Sequence, residues 1–219
     1  MARPARPGAR QALLEAARLE FARAGVRGAR VEDMTRRAGL SKGAFYLHFR
    51  SKEAAFHELL QRLLAALEAA ADRRQEGAAR VDEAERAGRS PADGPDRLEA
   101  ECALDVELLE LLWRHRQLVA VVDRSGAERW GPMVAAFRRR MRARTAARLR
   151  ERQAAGFIRA EVDAAVAADI IMGSYEDLGR RMATLRRKPD LEAWGRAFLA
   201  ILYQGLLDHR PPRPAGRTT

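Results

Sequence analysis

Apolar side chains recur at spacings of three and four along most of the chain, and this period predicts helices rather than strands. The first helical stripe consists of Leu13, Leu14, Ala17 and Phe21. It ends at Gly25, a residue suited to the left-handed position that follows many helices. No stretch shows convincing strand periodicity, so the sequence predicts an all-α fold.

Two short helical segments follow, and each is bounded by residues that favour helix ends. Residues 31–38 form the second stripe, which ends at Gly39. Ser41 is a good N-cap for a third helix over residues 42–47. Ser51 is a second such cap and predicts the start of a long fourth helix.

The fourth helix is predicted to continue to about Gln75, because its leucine stripe ends near there. Residues 76–96 lose the period and gain Gly, Pro and Asp, which predicts a loop with a short turn near 79–86. Gly126 is expected to begin a further break. The remaining helices are predicted over about 96–112, 115–123, 128–154, 163–186 and 190–208.

These elements divide the chain into two helical domains with loose ends. We predict a disordered arm over residues 1–8, a helix-turn-helix domain over 9–53, a regulatory and dimerisation domain over 54–208 and a disordered tail over 209–219. The helix-turn-helix assignment follows from three short helices with a tight, Gly-containing turn between the second and third.

Positive charge is concentrated at the N-terminus of this 219-residue chain, whose net charge is +11. Residues 1–53 hold 12 Lys and Arg against 5 Asp and Glu, whereas residues 54–219 hold 29 against 25. A basic segment of this kind attracts polyanions, either nucleic acid or an anionic membrane surface. A general compositional bias toward Arg is the alternative explanation for the total charge.

Composition also narrows the classes of function. Cys102 is the only cysteine, which excludes an intrachain disulfide and fits a reducing, cytoplasmic compartment. No apolar run approaches the roughly 20 residues of a membrane helix. The sequence contains no phosphate-binding loop, no dinucleotide glycine cluster, no HExxH motif and no cysteine pair. We therefore predict no enzyme activity, no cofactor and no metal site.

The third predicted helix carries side chains suited to reading DNA in the major groove. Lys42 can reach a phosphate or a guanine edge, and Leu47 can touch a thymine methyl group. At the start of the next helix, Ser51 and Lys52 can hold a phosphate. Phe45 and Phe49 are expected to face inward. The predicted DNA-binding residues are Lys42, Gly43, Ala44, Tyr46, Leu47, His48, Ser51 and Lys52.

The stretch "ALLEAARLEFARAGVRGARVEDMTRRAGLSKGAFYLHFRSKEAAFHELL", residues 12–60, resembles the DNA-binding domain of tetracycline-repressor-type (TetR family) regulators. The remainder resembles the family only in its order of helices. Arg30 departs from the pattern, since the family usually has Ser or Thr as N-cap there. The resemblance implies a transcriptional regulator, more often a repressor, that binds a palindromic double-stranded DNA operator as a homodimer and usually responds to a small-molecule inducer.

The resemblance also implies a dimer interface built by the last two helices and a ligand pocket in the helical body. For the interface the sequence offers Trp194, Phe198, Ile201, Leu202 and Leu206. For the pocket it offers Trp113, His115, Met133, Phe137, Met141, Met172, Tyr175 and Glu176. Ordinary core or surface packing is the alternative for each of these residues.

Two alternative functions stay open at this point. The chain could be a DNA-binding regulator that responds to a protein partner without a small ligand, or a helical scaffold that binds acidic membranes through its basic N-terminus. The arginine-rich run over residues 138–152 is interpreted as a solvated helix face, paired in part with Glu151 and with acids elsewhere.

Overall fold

The computed structural model describes residues 8–87, 97–124 and 127–206. These residues form α-helices and contain no sheet, so the predicted all-α class is confirmed. In chain order the helices are α1 (Ala9–Gly28), α2 (Val31–Ala38), α3 (Lys42–His48), α4 (Lys52–Arg86), α5 (Arg97–Arg124), α6 (Ala127–Ala154), α7 (Ala164–Thr184) and α8 (Leu191–Leu206).

The first core joins the three short N-terminal helices to the start of the helical body. Phe21, Met34, Phe45 and Phe56 are completely buried in it. Trp130 of α6 packs against Phe56 with ring centroids 5.0 Å apart. The long helices therefore begin or end against the N-terminal domain and hold it to the body.

The predicted end of α2 at Gly39 is confirmed, whereas α1 is kinked at its predicted end, Gly25, and continues to Gly28. Gly25 has φ 67° and ψ 175°, which breaks the helical geometry of α1 three residues before its end. Gly39 has φ 66° and caps α2 in the left-handed region that glycine adopts without strain. As the departure at Arg30 implied, the N-terminus of α2 has no side-chain cap.

The predicted loop after Gln75 is wrong in its first part, because α4 runs without interruption to Arg86. Gly77, one of the glycines on which that loop prediction depends, lies inside α4 and is a close-contact residue. A Cβ atom there would lie 2.5 Å from Leu104 Cδ2, so glycine lets α5 approach α4. Asp82, one turn further on, is buried and bonded to Arg152 at 3.0 Å. Tertiary contacts thus stabilise the extension.

The predicted break between two helices near residues 113–115 is also wrong, since α5 is continuous. Leu112, Leu118 and Val121 are buried along it, and Arg116 donates a side-chain hydrogen bond to the Trp113 carbonyl. The polar residues in this stretch interrupt the apolar pattern of the sequence, but they do not interrupt the helix. The predicted break at Gly126, the arm before Gly8, residues 207–208 and the tail lie outside the described residues.

A second core forms where α4, α5, α7 and α8 meet. Leu109 and Met182 are completely buried there, and Tyr175 packs edge-on against Phe198 at 5.1 Å. Asp163 caps α7 as predicted, accepting hydrogen bonds from the backbone N–H groups of residues 165 and 166. Among the helices that the structure describes, none combines the length and apolarity needed to cross a bilayer.

Candidate nucleic-acid interface and ligand cavity

The third helix is clamped by two aromatic rings on its inner side. Phe45 is completely buried, and Phe49, just past the C-terminus, is nearly so, with the two centroids 5.5 Å apart. Ser41 Oγ accepts a hydrogen bond from the Ala44 backbone N–H at 3.1 Å, as a helix N-cap does. The short helix is thereby held at both ends, although seven residues would be unstable alone.

The opposite side of α3 is open to solvent. Tyr46 is 51% exposed and Leu47 is 70% exposed, while Ala44 and His48 are half-buried. Gly43 adds no side-chain bulk at the exposed start of the helix. A single exposed leucine is common on protein surfaces, so it is the position of Leu47 on the open side of a clamped helix that makes it available to another molecule.

Lys42 lies at the start of α3 and forms an ion pair with a glutamate of α2. Its Nζ atom is 2.5 Å from Glu32 Oε1, and both side chains are more than half exposed. The hydrogen bond to Glu32 raises the pKa of Lys42, and the bond from Lys42 lowers the pKa of Glu32. The lysine is therefore fully charged at neutral pH and can exchange one anionic partner for another.

Ser51 and Lys52 build the start of α4, and the structure gives Lys52 an internal role. Ser51 Oγ accepts from the Ala54 N–H at 3.2 Å. Lys52 Nζ donates to the Arg27 carbonyl at 2.7 Å and to the Ala29 carbonyl at 2.9 Å. Two of its three N–H groups thus bond α4 to the chain segment that connects α1 and α2. The third N–H group can donate to a phosphate.

Two exposed arginines near this point were not singled out from the sequence. Arg50 precedes the Ser51 cap, and Arg27 supplies a carbonyl to Lys52. A basic residue close to a helix N-terminus is the signal that could have identified them. They extend the positive surface beyond the end of α3.

A buried carboxylate holds α2 against α1. Glu20 Oε1 accepts from Arg37 Nε and Nη2 at 3.0 and 2.8 Å, and Glu20 Oε2 accepts from Arg23. The Arg37 hydrogen bonds lower the pKa of Glu20, and Arg23 adds to this effect. Sequence patterning missed Glu20 because a charged residue in an amphipathic helix is normally expected at the surface.

A cavity of about 180 Å³ lies in the body between α4, α5, α6 and α7. Five of the eight predicted pocket residues line it, namely Phe137, Met141, Met172, Tyr175 and Glu176. The walls are mainly aliphatic and aromatic, with polar groups confined to part of the surface. This is the usual composition of a small-molecule site.

The other three predicted pocket residues lie elsewhere. Trp113 packs beside the second core under the Arg116 guanidinium, 3.7 Å from the ring centroid. Met133 packs against the N-terminal core. His115 is half-buried, and burial lowers its pKa, helped by the nearby charge of Arg18 on α1. Trp113 and His115 lie on faces of the continuous α5 that do not line the cavity, and Met133 lies near the start of α6, beside the N-terminal core.

The cavity also contains charged residues that the sequence did not reveal, namely Arg74, Glu101, Arg148 and Arg152. Arg74 forms an ion pair with Asp105, which also accepts a 2.6 Å hydrogen bond from the Tyr175 hydroxyl. Burial raises the pKa of Tyr175 far above its ordinary value, so the hydroxyl stays protonated and donates.

The outer face of the last two helices carries an unusual amount of exposed apolar surface. Val166, Ile170 and Ile201 are 56%, 60% and 71% exposed. Leu202 lies beside Val166 and Ile170 in a shallow groove. We call these four residues the α7–α8 apolar face. Its composition is typical of a protein–protein contact.

Not every predicted interface residue belongs to this face. Trp194 and Phe198 pack against the second core and are only partly exposed. The side chain of Leu206 lies outside the described residues. Spacing alone could not separate the inner from the outer apolar positions, because α8 is apolar on both sides.

Most arginines of the run in α6 are paired with acids, as predicted, but the interpretation as a solvated face is wrong for Arg148 and Arg152, which line the cavity. Arg138 lies 3.1 Å from Glu176, and Arg142 lies 3.0 Å from Asp169. Further pairs join Arg140 to Glu68, Arg144 to Asp72 and Arg148 to Glu151. Most of these pairs join α6 to α4 or α7, whereas Arg139 and Arg150 are exposed to solvent.

Residues 13–59 match the model of the family described as "Bacterial regulatory proteins, tetR family". A curated relative, the uncharacterized HTH-type transcriptional regulator YdgC of Bacillus subtilis (strain 168), is 45% identical over 51 residues. That match covers 23% of this chain and 26% of the relative, so the chain is matched to about a quarter of the length of that protein.

Solved structures match over nearly the whole chain. The ketosteroid transcriptional regulator KstR2 of Mycobacterium tuberculosis is 24% identical, with 91% of this chain and 95% of that chain covered and a TM-score of 0.63. NalD of Pseudomonas aeruginosa, a secondary repressor of a multidrug efflux pump, is 18% identical, with 93% and 99% covered and a TM-score of 0.67. At these identities the match shows a shared fold.

Proposed function

Since its N-terminal domain makes the chain a member of the tetR family of bacterial regulatory proteins, we propose that it is a cytoplasmic homodimer that binds a palindromic operator, represses transcription and leaves the DNA when a small molecule fills its cavity. The family is one of regulators, which agrees with the prediction that the chain is not an enzyme. The observation that carries the proposal is the clamped α3 with its solvent-exposed outer side.

The DNA contact follows from this geometry. Phe45 and Phe49 fix α3 from below, so Tyr46 and Leu47 are presented outward on a rigid support. Gly43 and Ala44 allow the helix to approach base edges closely, and Lys42 reaches a phosphate or guanine. The Ser51 cap, with Lys52 and Arg50 beside it, receives a phosphate of the same half-site.

Dimerisation is supported by the α7–α8 apolar face. Surface of this kind is costly to leave in water, and a second copy brings an identical patch around a twofold axis. A twofold protein dimer matches a palindromic operator, with half-sites about 34–36 Å apart or a multiple of this distance. The two α3 helices must then keep a fixed separation.

Regulation by a ligand is supported by the position of α4. This helix begins at Lys52 beside the DNA-binding surface and lines the cavity at Leu67, Ala71 and Arg74. A molecule that binds more tightly to one α4 position than to another shifts the population toward that position. A complex of triclosan with SmeT, 19% identical with a TM-score of 0.67, supports a role for small molecules.

The proposal is tested by electrophoretic mobility shift and nuclease footprinting on the DNA upstream of the chain's own coding region. We expect one protected palindrome. The Lys42→Ala variant should bind it at least about fivefold more weakly, as the loss of a base contact of ~1–3 kcal/mol implies.

Lys188→Ala is the matched control, because Lys188 is also an exposed lysine paired with a glutamate, Glu110, but on the body. It should bind like the wild type. No protected palindrome on any genomic fragment selected by the protein, or an equal effect of the two lysine variants, would contradict the proposal.

A further inference from the structure

The two ends of the cavity differ in chemistry. Along α4 the lining changes from Leu67 to Arg74, and along α6 it changes from Phe137 to Arg148 and Arg152. Both helices thus pass from an apolar lining to a guanidinium-bearing one within a few turns. The cavity is therefore amphipathic along its length.

The direction of this gradient is fixed by the N-terminal core. Phe56 of α4 and Trp130 of α6 pack on each other there, so both helices start at the DNA-binding domain and run away from it. The apolar end of the cavity consequently lies nearer the DNA-binding domain. The charged end lies nearer the C-terminal ends of α4 and α6.

The acidic groups at the wall already bind guanidinium groups. Glu101 accepts from Arg152 at 3.0 Å. Glu176 lies between Arg138 and Arg142, at 3.1 and 3.4 Å. A cationic ligand would therefore have to displace an internal ion pair in order to reach a carboxylate.

Arg74 and Arg152 at the charged end are paired with the buried carboxylates Glu101, Asp105 and Asp82, yet two guanidinium donors remain unsatisfied. The Nε atoms of Arg148 and Arg152 are buried and have no hydrogen-bond partner. The carboxylate partner of Arg148 is Glu151, whose side chain is 65% exposed and contributes little. Asp105 also has one oxygen without a donor, but this residue lies behind Arg74 and does not line the cavity.

Arg148 and Arg152 are four residues apart on α6, so their side chains leave the same face of the helix. An acceptor with two oxygens can be received by both after small side-chain rotations, and a charged acceptor forms stronger bonds to guanidinium than a neutral one. At ~15 Å³ for each water-sized group, the cavity holds roughly a dozen non-hydrogen atoms.

We infer that the effector is an amphipathic monocarboxylate, with its apolar body against Phe137 and Met141 and its carboxylate at Arg148 and Arg152. This inference rests on the proposed role of the cavity as the effector site and specifies the ligand class. The carboxylate satisfies the guanidinium donors, and the apolar body covers the walls nearer the DNA-binding domain.

The test is isothermal titration of the full chain with three probes of one chain length, each below its micellar concentration. Decanoate, decanol and decylamine have about a dozen non-hydrogen atoms each and differ only in the head group. We expect decanoate to bind at least about tenfold more tightly than the other two, because a charge-assisted hydrogen bond is roughly twice as strong as a neutral one.

Arg148→Gln should weaken decanoate binding by about tenfold, and Arg150→Gln is the control, because Arg150 is exposed on another face of α6. Thermal unfolding verifies that both variants fold. Should Arg148→Gln fail to fold, Met141→Trp fills the apolar end instead and should abolish decanoate binding. Arg152 is unsuitable, since it also bonds buried Asp82.

Tighter binding of decanol or decylamine, no binding of any probe, or unchanged decanoate binding in both Arg148→Gln and Met141→Trp would overturn the inference. A mobility-shift assay separates this result from the proposed function. If the protein binds no DNA but prefers decanoate, the regulator proposal fails and the ligand assignment stands. If it binds operator DNA and prefers another probe, the ligand assignment fails and the regulator proposal stands.

Discussion

Lys42 and Glu32 form an ion pair that joins the two helices of the helix-turn-helix unit across the surface assigned to DNA. The hydrogen bond between them raises the pKa of the lysine and lowers that of the glutamate, so both stay charged across the physiological range. A phosphate arriving at Lys42 has to compete with a carboxylate that is already in place.

Removing this competitor should strengthen DNA binding. We expect Glu32→Gln to raise affinity for all DNA sequences at low salt and to steepen the dependence of log K on log salt by up to about one unit. A salt titration of DNA affinity by fluorescence anisotropy measures both. Glu110→Gln, which frees Lys188 on the body, is the matched control and should change neither. Identical slopes for the two variants would contradict the role of Lys42 at the phosphates.

Substitutions at two nearby residues of α3 should have different effects, one on the stability of the protein and the other on its binding to DNA. Phe45→Ala removes a completely buried ring and should lower the free energy of unfolding by about 3–5 kcal/mol. Leu47→Ala, at a 70% exposed position, should change it by less than about 0.5 kcal/mol yet weaken operator binding. Chemical denaturation and anisotropy provide the two readouts. A destabilised Leu47→Ala variant, or one with full operator affinity, would count against this division.

Lys52 should contribute to stability as well as to binding. Lys52→Met removes the donor to the Arg27 and Ala29 carbonyls, and we expect unfolding to become easier by about 1–3 kcal/mol. Arg50→Gln, two residues earlier and exposed, should leave stability unchanged and reduce DNA affinity only. Denaturation midpoints of the two variants decide the question, and equal midpoints would show that the carbonyl contacts add nothing.

Glu20 should make the N-terminal domain sensitive to acid. Folding lowers its pKa below the ordinary value of 4.5, because Arg37 and Arg23 bind the charged form. Its contribution to stability is therefore complete above pH 4.5 and is lost as the pH falls through the lower folded-state pKa.

Glu20→Gln should cost about 1 kcal/mol at pH 7, because Arg37 and Arg23 lose a charged partner but are themselves 47% and 63% exposed to water. It should also flatten the fall in stability below pH 4.5. Unfolding free energies measured from pH 7 to pH 3 test both effects. Glu161→Gln, at an exposed glutamate outside this domain, is the control, and a Glu20→Gln profile parallel to that of the wild type would refute the assignment.

The α7–α8 apolar face should control the oligomeric state. Ile170→Glu combined with Ile201→Glu places two charges where a second copy is proposed to pack, and we expect monomers by light scattering on a sizing column. Operator affinity should fall with dimerisation, because each half-site then binds alone. Arg139→Glu, an exposed charge reversal on α6, is the control. A double variant that remains dimeric would place the interface elsewhere.

Local signals were sufficient for much of the fold. Ser41, Ser51 and Asp163 each cap a helix as predicted, because a cap bonds to backbone groups only two or three residues away. Gly77 misled the prediction because its role depends on Leu104, a residue 27 positions further along the chain. Helix ends set by neighbours in space cannot be derived from a single window of sequence.

The same distinction applies to the two candidate sites. The rings of Phe45 and Phe49 and the exposed Leu47 follow from one turn of helix, and the structure places them as the sequence predicts. The charged end of the cavity was missed, because Arg74 and Arg148 look like solvent-facing residues until three helices enclose them. Burial of charge is a property of packing rather than of local pattern.

Because α4 is one continuous helix, a change in its orientation at the cavity also moves its N-terminus beside the DNA surface. From Arg74 at the cavity to Lys52 beside the DNA surface it spans 22 residues, or ~33 Å at ~1.5 Å per residue. A tilt of roughly 5° at one end swings the other by roughly 3 Å, and opposite swings in two protomers add to about half of the ~12 Å width of a major groove. Under the proposed regulation, a small change in the orientation of α4 at the cavity would therefore be enough to move the two α3 helices of a dimer out of register with the operator.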